Sequence, residues 1–129
     1  MGVTYHGNTQ EHRTLGQNIP STESSFPITR RRFGKPNTKS TYVSVIESDN
    51  PLSTAREFYN KIAYGGKRDK SGEGFLTVRM KDGSVITFRE TSKSGSPAVD
   101  INIKKSNDNG LKIKSHKIHF IKKETKNDK

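Results

Sequence analysis

Residues 115–123 read SHKIHFIKK. Two histidines stand three apart in a lysine-rich run that ends on short apolar alternation. On a helix, residues three apart are neighbours and could share a metal ion. On a strand they point to opposite faces. Ile118 and Phe120 alternate with Lys117 and His119, which favours the strand. The segment is therefore expected to be a sheet strand that buries one face and shows Lys117 and His119 on the other. A two-histidine zinc site is not expected, and the chain has no cysteine to complete one.

The region before this strand follows the same period. FLTVRM (75–80) places Leu76, Val78 and Met80 on one face. Asp82-Gly83 is a tight-turn pair, and SVITFRE (84–90) aligns Ile86 with Phe88. AVDINIK (98–104) aligns Val99, Ile101 and Ile103. Upstream, SDNPLSTAREFYNKIAYGG (48–66) changes to a helical period. Leu52, Ala55, Phe58, Tyr59 and Ile62 form one stripe, with Asp49 or Ser53 as cap and Gly65-Gly66 as terminator. TYVSVIES (41–48) alternates weakly and reads as a strand or an extended lead-in. KRDKSGEG (67–74) reads as a mobile basic loop. The expected fold is α+β: an N-terminal helix packed on a twisted four-stranded antiparallel sheet.

Composition limits what such a fold can do. The 129 residues suit one domain, and at 27% apolar content its core must be small. Residues 1–40 are rich in Ser, Thr, Asn, Pro and Gly and read as a linker or loosely packed basic arm, leaving residues 41–129 as the domain. The arginine run at 30–32 reads as a solvated linker or a nucleic-acid backbone contact. Net charge is +11, divided as +2 over residues 1–50 and +9 over 51–129. The expected folded part is the basic part, which favours polyanionic partners and nucleic acid first. The absence of cysteine excludes disulfides and zinc–thiolate sites. No apolar run is long enough to span a bilayer, and no signal-peptide pattern opens the chain.

If the apolar set faces the helix, strand alternation turns Thr77, Arg79, Thr87, Arg89, Asp100, Asn102, Lys117 and His119 the other way. That surface joins a titratable imidazole to fixed cations, a mixture suited to phosphate chemistry. Ser92, Ser94 and Ser96, with Gly95, add hydroxyls near Arg89. Lys104 adds a further cation beyond the third strand. Tyr42, Tyr59, Tyr64 and Phe33 are aromatics able to stack on bases, Tyr59 being better suited to the core. Carboxylates are scarce on this face, with Asp100 the clear one, and no metal is expected. A nuclease centre built this way would cut RNA, because the ribose 2′-hydroxyl supplies the nucleophile. A non-catalytic nucleic-acid-binding module and a metal-dependent DNase are the alternatives.

DGSVITFRETSKSGSPAVDINIK (82–104) followed by HKIHFIK (116–122) resembles C-terminal toxin modules of bacterial polymorphic and contact-dependent growth-inhibition toxins. Such modules are similar to the barnase–EndoU–colicin–RelE ribonucleases. The resemblance spans roughly residues 55–121. It implies an endoribonuclease, often directed at tRNA, carried by a larger secreted or cell-surface toxin and acting in the cytoplasm of a competing cell. It also implies an acidic cognate immunity protein, and no cofactor. The matching positions are His119, Arg89, Lys117, Ser92, Ser94 and Asp100 as catalytic candidates. Arg79, Thr87 and Lys104 are candidates for holding substrate. Some relatives also use a histidine from the helix or arm; here the helix has none, and only His6 and His12 lie upstream.

Overall fold

The computed structural model describes residues 13–37, 40–93, 95–104 and 110–123. Among these, the helices are α1 (Leu15–Glu23) and α2 (Pro51–Ile62). The strands are β1 (Ile28–Thr29), β2 (Arg32–Phe33), β3 (Lys35–Asn37), β4 (Ser40–Ser48), β5 (Lys67–Gly72), β6 (Phe75–Arg79), β7 (Val85–Arg89), β8 (Ala98–Asn102) and β9 (His116–Lys122). The fold is α+β.

The four expected strands form the consecutive antiparallel meander β6–β7–β8–β9. The sheet does not stop there. It has seven strands in the order β3-β4-β9-β8-β7-β6-β5, rather than four. β4 lies parallel to β9, with Val45 opposite His119 and Ile46 opposite Phe120. The expected basic loop at 67–74 contributes β5, an edge strand paired to β6 and bulged between Arg68 and Lys70. Its exposed charges and bulge suit an edge, where they discourage pairing with another chain.

The helix on which the sheet packs is not the first one. α2 starts at Asn50, whose side chain accepts from the Ser53 amide, with Pro51 just inside the helix. Neither Asp49 nor Ser53 is its cap. Its stripe of Ala55, Phe58, Tyr59 and Ile62 is buried. Phe58 lies 5.7 Å from Phe120 and Tyr59 lies 5.6 Å from Phe88, ring centre to ring centre. The covered face of the sheet is thus the one bearing Val78, Ile86, Phe88, Val99, Ile101, Ile118 and Phe120.

Residues 13–37 pack into this same core rather than lying loose as an arm. Thr14 and Gln17 form a reciprocal capping box at the start of α1. Leu15, Ile19, Phe26 and Phe33 are buried in one cluster with α2 and the sheet. Asn18 is buried and its Nδ2 donates to the carbonyls of Ile62 and Tyr64, at 2.8 Å each. The Ile62 carbonyl is the last of α2, where the helix itself offers no partner, and Tyr64 lies just beyond the helix. The hairpin β1–β2 turns through Arg30 and Arg31, at φ 54° and 63°. A left-handed side-chain-bearing residue costs on the order of 1 kcal/mol. Gly34 follows at φ 82°, where a Cβ would stand 2.7 Å from the Val45 carbonyl oxygen; only glycine lets the hairpin meet β4 this closely.

His116 fastens the hairpin to β9. It is 4% exposed and stacks on Phe33. Its Nδ1–H donates to the Lys114 carbonyl, and its Nε2 accepts the Phe33 amide at 3.2 Å. That pattern requires a neutral ring. Burial, together with Arg32 and Lys114, pushes its pKa down to about 4, against the one carbonyl bond that favours the cation. The unfolded chain therefore binds the proton more readily, and stability rises with pH between the two pKa values. We expect the contribution of His116 to be complete above about pH 6.5 and to fall by roughly 3 kcal/mol as pH drops to about 4. Urea unfolding across this range checks it. The decline should be much smaller in His116→Gln, whose side chain does not titrate.

Candidate functional site

The register fixes which side chains share the face that α2 leaves uncovered. Phe75, Arg89, Ala98, His119 and Val45 stand abreast across β6, β7, β8, β9 and β4. The next rank is Thr77, Thr87, Asp100, Lys117 and Val43. Beyond it come Arg79, Val85 and Asn102. The alternation expected along each strand places these residues on this face, because successive residues of a paired strand must point to opposite sides.

His119 is half-buried in the middle of the sheet. Its Nδ1 lies 3.0 Å from Ser96 Oγ. Ser96 belongs to the β7–β8 loop, which folds back on itself. The Ser92 amide donates to the Ser96 carbonyl and the Gly95 amide to the Ser92 carbonyl. The Phe120 amide donates to the Pro97 carbonyl and so draws the end of this loop against β9. Ser92 is buried, and its hydroxyl lies 3.5 Å from that of Ser96. Ser94 lies outside the described residues.

Lys117 and Asp100 are cross-strand partners with Nζ and Oδ2 3.9 Å apart. Both are partly exposed, so the pair adds little stability. Its effect is on the field at His119. Partial burial lowers the imidazole pKa below its ordinary value, Lys117 lowers it further, and Asp100 opposes them. The neutral ring is favoured at neutral pH, which suits a proton acceptor.

Arg89 shares the face but does not converge on the imidazole. Ala98 separates the two, so their Cα atoms are about 10 Å apart, two strand spacings. The guanidinium carbon sits 5.8 Å from the ring centre of Phe75, on the side away from His119. The attraction between a guanidinium and a ring face explains that direction. Arg89 and His119 therefore share a face without their side chains meeting at one point. Lys104 is likewise distant, lying against Gly83 in the β6–β7 turn at the other end of the sheet. Arg79 faces Val85 near that same end. Thr87 bonds Thr77 across the strands at 3.1 Å.

A cleft of about 360 Å³ opens beside the Lys117–Asp100 pair. Thr87, Asn102, Val85 and Tyr42 line it together with that pair. Tyr42, from the start of β4, is 65% exposed. Val43, the next residue, pairs with Lys117 in the parallel β4–β9 ladder, which local patterning does not reveal. The contact between Ser96 and His119 is also invisible until the register places Ala98 opposite His119. Among the described residues, no three His, Asp or Glu side chains gather in a metal-binding group. No helix among them is long and apolar enough to cross a membrane. No protein-family model, curated protein or solved structure matches the chain.

The electrostatics give a direct check. The imidazole of His119, followed by NMR, should titrate below 6.5. Lys117→Gln should move that titration upward, and Asp100→Asn should move it further down. If neither variant moves it, the field attributed to the pair is absent.

Proposed function

We propose that the chain is a metal-independent endoribonuclease in which His119 handles the proton of the attacking 2′-hydroxyl. The observation that carries this reading is a half-buried imidazole on the uncovered face, bonded to Ser96 and under the influence of Lys117 and Asp100, which themselves line a cleft. With Nδ1–H donating to Ser96, the lone pair lies on Nε2. That nitrogen would take the 2′-hydroxyl proton as the oxygen attacks phosphorus. The P–O5′ bond breaks, the leaving oxygen takes a proton from water, and the imidazolium returns the 2′-hydroxyl proton to solvent. The products are a 2′,3′-cyclic phosphate and a 5′-hydroxyl end. Lys117 lies on the same face and would offset the charge that builds on the phosphorane oxygens. Ser96 is a positioning residue, because it acts through the ring it holds.

The arrangement of α2 followed by the β6–β9 meander supports a likeness to barnase–EndoU–colicin–RelE ribonucleases. β3, β4 and β5 enlarge that pattern. Within this reading the chain is the toxin module of a larger protein delivered to competing bacteria, with tRNA as substrate. Its partner would be an acidic immunity protein, drawn by the +11 charge. Association with that partner should slow steeply with added salt in stopped-flow measurements. An on-rate indifferent to salt would remove the steering argument.

A second reading, a nucleic-acid-binding module without catalysis, is favoured by the turn of Arg89 away from His119. Incubation of the purified chain with total RNA in excess EDTA separates the two. Cleavage should persist in the chelator and leave cyclic-phosphate ends. His119→Ala should lower the rate by about 100-fold or more. The acid limb of kcat/KM should have its midpoint below pH 6.5, since the base must be deprotonated. RNA that stays intact yet binds in a salt-sensitive way supports the second reading, and scission abolished by chelator would point to a metal-dependent nuclease.

A further inference from the structure

The ribonuclease reading leaves two features unused. One is Tyr42, an aromatic side chain largely exposed at the mouth of the cleft. The other is the β1–β2 turn. A two-residue turn with both central residues left-handed is ordinarily built from Asn-Gly. Here Thr29 pairs with Arg32, and the two central residues are Arg30 and Arg31.

Arg31 has a structural account. Its guanidinium donates to the carbonyls of Leu111 and Ile113, and its own carbonyl accepts the Lys114 amide. Arg30 has none: it is exposed, with no hydrogen bond or ion pair among the described residues. Nothing in the packing favours arginine over asparagine there. Lys114 joins the two features. Its backbone holds the turn, and its ammonium stands 5.5 Å from the ring centre of Tyr42. Tyr42 in turn lines the cleft with Lys117, two residues from His119. Lys112 is excluded from this line by its 2.6 Å ion pair with Glu23.

We infer that these groups form a binding track for single-stranded RNA that leads away from the His119 centre. Tyr42 is the platform for a base flanking the scissile phosphate, and Arg30 and Lys114 hold the phosphates beyond it. Cations alternating with an exposed aromatic ring are what a sequence-tolerant single-strand groove requires. His116 and His119 are three residues apart on β9, about 10 Å at strand spacing, and Lys114 precedes the strand, so a dinucleotide held at His119 would not reach the turn. The inference rests on the ribonuclease reading for the identity of the polymer.

The test uses single-stranded DNA of about a dozen nucleotides, which offers the same bases and phosphates but no 2′-hydroxyl to be attacked. Its affinity is read by fluorescence anisotropy on the whole chain. Tyr42→Ala should weaken binding about fivefold or more, and Tyr42→Phe should restore it. Arg30→Asn should weaken binding and lower the salt slope by about 0.7. The same variant relieves the backbone, so its Tm should equal or exceed that of the parent. A lower Tm would show that Arg30 serves the fold and overturn its assignment to the track. Arg30→Asn should leave cleavage of a dinucleotide unchanged, whereas Tyr42→Ala should slow it. Unchanged affinity in the variants, or no binding by the parent, overturns the track and leaves the ribonuclease reading standing if RNA is cut. Variant-dependent binding without any RNA cleavage overturns the ribonuclease reading and keeps the track. Loss of binding to anionic lipid vesicles, with DNA affinity unchanged, would reassign the surface to a membrane and overturn the proposal.

Discussion

β9 is held in register from both sides, and the chemistry of the two histidines depends on that clamp. β4 fixes it by parallel pairing and β8 by antiparallel pairing. The Phe120 amide bonds Pro97 and the Lys123 amide bonds Ser48, which extends the hold to the end of the strand. A slip of one residue would exchange the faces of every side chain. His119 would enter the apolar layer under α2, and Ile118 and Phe120 would be turned out to water. The cost of exposing a buried Ile and Phe, about 2 kcal/mol for each, makes that slip unfavourable before any polar group is counted. His116 adds a directional restraint, because its ring satisfies the Phe33 amide in one position only.

The two imidazoles share one dominant influence, burial, and differ in what surrounds it. At His116 burial is nearly complete, and both ring nitrogens are committed to backbone groups. It is a fastening. At His119 burial is partial, and the other contributions come from Lys117 and Asp100, side chains that reach solvent. Such a field can be altered by a nearby phosphate. An anion entering the cleft would offset Lys117 and make the ring more basic than in the free protein. In the proposed reaction, binding of a phosphate and readiness of the ring to take a proton would be coupled through one lysine.

Much of this was legible in the sequence, for a physical reason. The meander and α2 each bury one face, and a buried face writes its period into the chain: two residues for Leu76, Val78, Ile86 and Phe88, three to four for Ala55, Phe58, Tyr59 and Ile62. The outward set followed from the same parity. Parity gives a face and no rotamer, which is why Arg89 could be placed beside the site while its guanidinium turned to Phe75. β5 escaped because an edge strand of KRDKSG buries almost nothing and so has no apolar period to read. α1 escaped because Gly16, Pro20 and its Ser and Thr residues argue against a helix. The Thr14-x-x-Gln17 pair was its available signal. The parallel partnership of β4 with β9 joins segments more than seventy residues apart, and no local pattern encodes it.

The N-terminal segment then carries opposite demands on adjacent residues. Phe33 must reach Phe58 and His116 in the core, and Gly34 must pass close to β4. Between Ile28 and Phe33, four residues must reverse the chain, and three of them are arginines. Packing sets the position of that reversal but leaves the choice of its residues open, since Asn-Gly would turn the same chain with less strain. Arg31 recovers part of the cost through its bonds to Leu111 and Ile113. Arg30 does not. A strained position kept at a surface turn, in a chain already bearing +11, works against stability twice, through the backbone and through like-charge repulsion. Such a residue is expected where the gain lies outside the folded chain, as in the proposed single-strand track.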